Sequence, residues 1–167
     1  MIRVVLADCD GVLTDGGVYV GPDGEVMKRF SIRDGMGFER LRDAGVVVGI
    51  VSGERSPSLV ARAAKLGIEE LHLGVTDKLA VVDDLCRRLG VERAEVAFIG
   101  DDVNDVAALR AVGFSGAPAD AMSAATVVAD HICRVSGGHG AFREFAEEVL
   151  TRLGHDENRY DPRETTP

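Results

Sequence analysis

A short apolar run that stops on two carboxylates constrains this chain more than any other feature: Val4-Val5-Leu6-Ala7 leads directly into Asp8-Cys9-Asp10-Gly11. Four consecutive apolar residues read as a strand buried on both faces, the pattern of a parallel sheet covered by helices. In such sheets ligands bind beyond the carboxyl ends of the strands, which is where Asp8 and Asp10 fall. Two desolvated carboxylates so close together are costly unless a cation neutralises them, so the pair implies a hard divalent ion such as Mg²⁺. A simple Asp-Gly turn would need one aspartate, not two followed by Thr14 and Asp15.

Other apolar runs end in polar groups of matching use. Val46-Val47-Val48-Gly49-Ile50-Val51 stops at Ser52-Gly53, a hydroxyl and a backbone N–H suited to a phosphate oxygen. Lys78 opens the helical pattern of residues 78–89, where an ammonium can neutralise phosphate and aspartate together. Val96-Ala97-Phe98-Ile99 leads into the acidic stretch Gly100-Asp101-Asp102-Val103-Asn104-Asp105. Strand patterns over residues 2–7, 46–51, 70–73, 96–99 and 113–115 alternate with helical patterns near 37–44, 58–66, 78–89 and 103–111, and a last helix is expected over 141–153. That alternation predicts an α/β fold: a three-layer, Rossmann-like parallel sheet with right-handed crossovers and the first strand at the switch point.

One segment departs from the alternation. Within residues 17–30, Val18-Tyr19-Val20 and Glu25-Val26-Met27-Lys28-Arg29-Phe30 flank Gly21-Pro22-Asp23-Gly24, which predicts a β-hairpin flap. A lone hairpin is marginal in water, and this one is apolar, so other subunits are expected to cover it.

The 167 residues suffice for one domain, residues 1–153, with no separate cap domain, followed by a polar tail over 154–167. A formal charge of −9 argues against nucleic acid or an anionic membrane as partner. Cys9, Cys86 and Cys133 lack metal-ligand spacing and are odd in number, so reduced thiols in a cytoplasmic protein are expected. The amino terminus does not read as a signal peptide, because its apolar run meets Asp8 at once.

Asp8-Cys9-Asp10-Gly11-Val12-Leu13-Thr14 resembles the first motif of the haloacid dehalogenase superfamily, Asp-x-Asp-Gly-x-x-Thr/Val, and the Ser52, Lys78 and Asp101 segments follow in the superfamily's order. The resemblance implies a Mg²⁺-dependent phosphomonoester hydrolase. In it Asp8 attacks phosphorus to form an aspartyl-phosphate, and Asp10 serves as general acid and then general base. Ser52 and Lys78 hold the phosphoryl oxygens. Asp8, Asp10 through its carbonyl, and Asp101 hold the metal, with Asp102 as the alternate ligand; Asp105 orients Lys78 or caps the next helix.

The hairpin, Lys78-Leu79 and the terminal run Gly137-Gly138-His139-Gly140-Ala141-Phe142-Arg143-Glu144 narrow the resemblance to the capless 3-deoxy-2-ulosonate phosphatases. Members hydrolyse phosphates of eight- or nine-carbon sugar acids and are typically homotetramers whose subunits cap one another's sites. His139 stands where relatives often have Arg. Gly53-Glu54, with Arg62 and Lys65, resembles the substrate-binding set of the 2-keto-3-deoxynononate 9-phosphate branch and so favours a nine-carbon, sialic-acid-like substrate. The alternatives are an octulosonate 8-phosphate phosphatase and a non-catalytic oligomerisation module. Residues 77–83, 115–121 and 140–147 resemble the latter, the C-terminal module of animal CMP-sialate synthetases.

Overall fold

In the computed structural model, which describes residues 1–155, the chain runs β1 (Val4–Ala7), a hairpin of β2 (Tyr19–Gly21) and β3 (Gly24–Met27), α1 (Ile32–Asp43), β4 (Val47–Ser52), α2 (Pro57–Leu66) and β5 (Glu70–Leu73). It continues through α3 (Lys78–Leu89), β6 (Val96–Ile99), α4 (Val106–Ala111), β7 (Phe114–Ala117), α5 (Ser123–Thr126), β8 (His131–Ile132) and α6 (Ala141–Arg152). Most of the expected tail, residues 156–167, lies outside the described residues.

Six strands form one parallel sheet in the order β5-β4-β1-β6-β7-β8, with β1 paired to β4 on one side and to β6 on the other. Chain order reverses at β1, so the ends of β1, β4 and β6 open onto one crevice. Alternate strand residues serve opposite faces. Val5, Ala7, Val48, Ile50, Ala97 and Ile99 pack with Phe38, Leu59, Phe142 and Phe145 of α1, α2 and α6. Val4, Leu6, Val51, Val96 and Phe98 pack with Val82, Leu85, Ala108 and Leu109 of α3 and α4. The expected three-layer α/β architecture is therefore present, with the hairpin as a separate two-stranded ribbon.

Two helices start elsewhere than the sequence pattern implies. α1 begins at Ile32 rather than near residue 37, capped by Ser31, whose Oγ accepts the Arg33 N–H at 3.2 Å. Gly35 and Gly37 weaken the helical signal there, yet close packing selects them: a Cβ on Gly37 would stand 3.3 Å from the Arg143 Cα and the Phe142 ring. The Phe38 and Phe142 rings stack at 3.9 Å across the same contact. α4 begins at Val106 rather than 103, because Asp105 turns back to accept the N–H groups of Asp101 and Asp102 at 2.9 and 3.3 Å.

Asp34, buried on α1, accepts the Arg143 N–H at 2.9 Å through Oδ1, while Oδ2 has no hydrogen-bond partner among the described residues. Burial pushes this carboxyl up from 3.8 to about 6, against the pull of the Arg143 amide and nearby cations. A raised carboxylate pKa means that the native state binds more protons than the unfolded chain between those values, so stability from this group falls as pH rises through about 6. Asp34→Asn is therefore expected to stabilise the fold by on the order of 2 kcal/mol at pH 7.5, with the gain vanishing near pH 4. Urea melts of both proteins at the two pH values check this; an equal effect at both would contradict it.

Candidate active site

The turn after β1 is built around one carbonyl: Cys9 O accepts from Leu13 and Thr14 N–H at 2.9 and 3.0 Å. The tight loop leaves Asp8 buried at the strand end and carries Asp10 to the crevice rim. Gly11 adopts φ +91°, and a Cβ there would fall 2.0 Å from Asp101 Oδ2. Only glycine lets the β1 and β6 loops approach this closely.

Lys78, the first residue of α3, is buried and spans two carboxylates: Nζ lies 2.7 Å from Asp8 Oδ1 and 2.5 Å from Asp105 Oδ1. Asp8, Asp101 and Asp105 each offer an oxygen, all within 4.8 Å of one another. Three carboxylates against one ammonium leave negative charge in excess. The strain appears in the pKa values: burial and the Asp105 charge raise Asp8 despite Lys78, while burial and the Asp8 carboxylate raise Asp101. A divalent cation removes that excess, and an all-oxygen donor set suits a hard ion. Asp105 is spoken for by Lys78 and two backbone amides, so Asp8 and Asp101 are the side chains free to bind it.

The residues expected from sequence do not all converge. Asp8, Asp10, Gly53, Glu54, Asp101, Asp102 and Asn104 line a cleft of about 220 Å³. Ser52 lies buried at the end of β4 beneath it, with Oγ accepting the Glu54 N–H at 3.1 Å. Asp102 lines the cleft but spends Oδ1 on the Val103 N–H at 2.6 Å. Arg62 and Lys65 are not in the lining: Arg62 donates to Ser31 O at 3.0 Å, tying α2 to α1, and Lys65 is exposed. Their spacing predicts a shared face, but within this chain neither side chain lines the Asp8 cleft. His139 is also outside the cleft, with Nε2 3.0 Å from Arg29 Nη2.

One residue was not anticipated. Lys28, just past β3, places Nζ 2.6 and 2.8 Å from the two Asp10 oxygens. Its sequence signal was slight: one of two adjacent cations, Lys28-Arg29, beside a hairpin whose large apolar residues Tyr19, Val20, Val26 and Met27 are exposed.

A family model for haloacid dehalogenase-like hydrolases matches residues 25–113. A 3-deoxy-D-manno-octulosonate 8-phosphate phosphatase of Haemophilus influenzae is 42% identical over 153 residues, covering 92% of this chain and 85% of the relative. The chain belongs to the haloacid dehalogenase-like hydrolases. Within them it is a phosphoric monoester hydrolase, and the 3-deoxy-D-manno-octulosonate 8-phosphate phosphatase of Escherichia coli K12 is 38% identical to it, covering 92% of this chain and 81% of the relative. The cobalt-bound H. influenzae octulosonate phosphatase superposes with a TM-score of 0.91 at 40% identity, covering 98% of this chain and 95% of that one. The Moraxella catarrhalis phosphatase, solved with magnesium, phosphate and the eight-carbon sugar acid, gives 0.86 at 35% identity, covering 90% and 86%. The resemblance drawn from the Asp8 motif and the fold expected from strand alternation both hold. No helix among the described residues of this hydrolase is long and apolar enough to cross a membrane.

Proposed function

We propose that this haloacid dehalogenase-like hydrolase removes the phosphate of a 3-deoxy-2-ulosonate phosphate, with 3-deoxy-D-manno-octulosonate 8-phosphate as substrate. The observation that carries the reading is a complete Asp8, Asp10, Lys78 and Asp101 constellation in a chain similar over nearly its whole length to the H. influenzae octulosonate phosphatase. The same constellation argues against a non-catalytic oligomerisation module. Mg²⁺ is the cofactor; it offsets the charge of Asp8, Asp101 and the phosphoryl group when bound.

The chemistry follows from the side chains. An Asp8 oxygen bonds to phosphorus in line as the ester P–O bond breaks, and the Asp10 carboxyl gives its proton to the departing sugar oxygen. The Asp10 carboxylate then takes a proton from water as the water oxygen bonds to phosphorus. The Asp8–phosphorus bond breaks, releasing phosphate and restoring Asp8. Lys78, already on Asp8, fixes the nucleophile and faces the charge that develops on the phosphoryl oxygens, while Ser52 and Gly53 close the β4 side.

A second reading, 2-keto-3-deoxynononate 9-phosphate, is favoured by Glu54, which lines the cleft beside Asp8 and Asp10 and can accept from sugar hydroxyls. Arg62 and Lys65 would join that recognition only from a neighbouring subunit. A phosphate-release assay with the eight- and nine-carbon phosphates decides: higher kcat/KM on the former supports the octulosonate reading, higher on the latter replaces it, and hydrolysis of neither refutes both.

The assembly reading belongs here too. Among the described residues the cleft lining is acidic and contains no cation to meet a sugar-acid carboxylate, and Tyr19, Val20, Val26 and Met27 are each more than half exposed. A homotetramer in which hairpins pack together and neighbours complete each site accounts for both. Phe30, by contrast, packs on this chain's own core, so it does not report on assembly. Met27→Asp is expected to yield a smaller species in light scattering and at least tenfold lower activity on the sugar-acid phosphate, because burying an unpaired charge in an apolar interface costs several kcal/mol, of order 2–5. An unchanged mass for the variant, or a fully active monomeric parent, would contradict this.

A further inference from the structure

Asp8 and Asp10 are two residues apart, yet each has its own ammonium, and the two pairs do not mix. Lys78 serves Asp8 and Asp105. Lys28 serves Asp10 and Glu25, at 2.6 and 3.8 Å. Only 4% of the Lys28 side chain is exposed, whereas Met27 and Arg29 on either side face solvent. Burying an ammonium on a surface hairpin is unfavourable unless its partners are held in place, so the contact points to a function.

The partners are held. Both Asp10 oxygens take Lys28 Nζ, at 2.6 and 2.8 Å, and Thr14 Oγ1 adds a third hydrogen bond, to Oδ1 at 3.3 Å. Glu25 is anchored in turn: its Oε1 accepts from Ser56 Oγ at 2.7 Å and from Ser58 N–H at 3.2 Å, at the start of α2. Ser56 is buried and caps α2 through Leu59 N–H. A continuous polar chain thus runs from the α2 cap through Glu25 and Lys28 to Asp10. Its effect is to hold the Asp10 carboxylate apart from the Asp8–Asp101 cluster, where a freely rotating side chain would be drawn to Lys78 or to a metal.

We propose that Lys28 is a positioning residue for the reaction, fixing the Asp10 carboxyl group where it gives its proton to the ester oxygen and then, as the carboxylate, takes one from water. The inference rests on the acid–base role assigned to Asp10 above. It makes the hairpin part of the catalytic apparatus and not only a surface for other subunits, because the hairpin delivers the ammonium.

The leaving group supplies the test. An alkyl phosphate, such as a sugar-acid phosphate or glycerol phosphate, needs a proton on its departing oxygen; p-nitrophenyl phosphate, whose phenolate leaves unprotonated, does not. In Lys28→Met, kcat/KM on the alkyl phosphate is expected to fall about a hundredfold, chiefly through kcat, while kcat/KM on p-nitrophenyl phosphate stays within about threefold. Because Asp10 also activates water, nitrophenolate should then appear as a burst followed by slow turnover. Lys28→Arg, which keeps a cation, should restore part of the loss. Glu25→Gln, which loosens Lys28 without removing it, should shift the alkyl-to-aryl ratio the same way by a smaller factor, and it carries the test should Lys28→Met fail to fold. Equal losses on both substrates, or an unchanged ratio in Lys28→Met or in Glu25→Gln, would overturn the inference. A parent that cleaves glycerol phosphate but no ulosonate phosphate would refute the substrate reading instead, with the Lys28 ratio still measured on glycerol phosphate.

Discussion

Asp8→Asn is expected to abolish turnover, by roughly ten-thousandfold or more, while leaving the melting temperature equal to or above the parent's. The amide keeps the shape of the carboxylate but cannot form the bond to phosphorus. Stability should not suffer, since Asp8 sits in a cluster with too much negative charge. Removing one carboxylate relieves repulsion with Asp101 and Asp105, and Lys78 retains Asp105. Steady-state assays alongside thermal melts check both halves. Residual activity near the parent rate would rule out the nucleophile, and a large drop in melting temperature would show that Asp8 is needed for folding.

Lys78→Met is expected to damage both folding and chemistry. The ammonium is buried between Asp8 and Asp105, so its loss strands one carboxylate that is fully buried and one that meets solvent only at the cleft. Breaking a buried pair by removing one partner typically costs about 3–5 kcal/mol. The sign with pH follows from Asp8, whose carboxyl burial holds up at about 6: the cost is greatest where it is ionised and shrinks as acid protonates it, so denaturant melts should separate widely at pH 8 and draw closer toward pH 4. Activity should fall at least about a hundredfold, because the charge facing the phosphoryl oxygens is gone. A variant as stable as the parent at pH 8 would mean that the cluster is not charged as described.

Much of this was legible in the sequence because the fold advertises its active site. Buried strands β1, β4 and β6 are unbroken apolar runs, and the first polar residues after them, Asp8, Ser52 and Asp101, are at the crevice by construction. Lys78 was legible for the same reason, as the first residue of a strongly patterned helix. What escaped depends on contacts that no local pattern encodes. β8 has two residues and exists only because His131 and Ile132 find Gly116 and Ala117 on the neighbouring strand. The early start of α1 was masked by Gly35 and Gly37, which reduce helix propensity but are required by the approach of Arg62 and of α6. Arg62 and Lys65 share a helix face as their spacing implies, yet spacing does not say what that face meets, and for Arg62 it is the Ser31 carbonyl. Lys28 was invisible because the direction of its side chain is set by where the hairpin folds back, a tertiary fact.

The most direct test of the central claim, covalent phosphoryl transfer through Asp8 in a Mg²⁺-dependent site, is capture of the intermediate. The enzyme with Mg²⁺ would be mixed with 3-deoxy-D-manno-octulosonate 8-phosphate, quenched in acid within milliseconds, digested and mapped by mass spectrometry. The account predicts a phosphoryl group on the peptide containing Asp8, lost when Mg²⁺ is removed and absent in Asp8→Asn. Phosphate release with no phosphorylated peptide at any quench time, or the phosphoryl group on another residue, would contradict it.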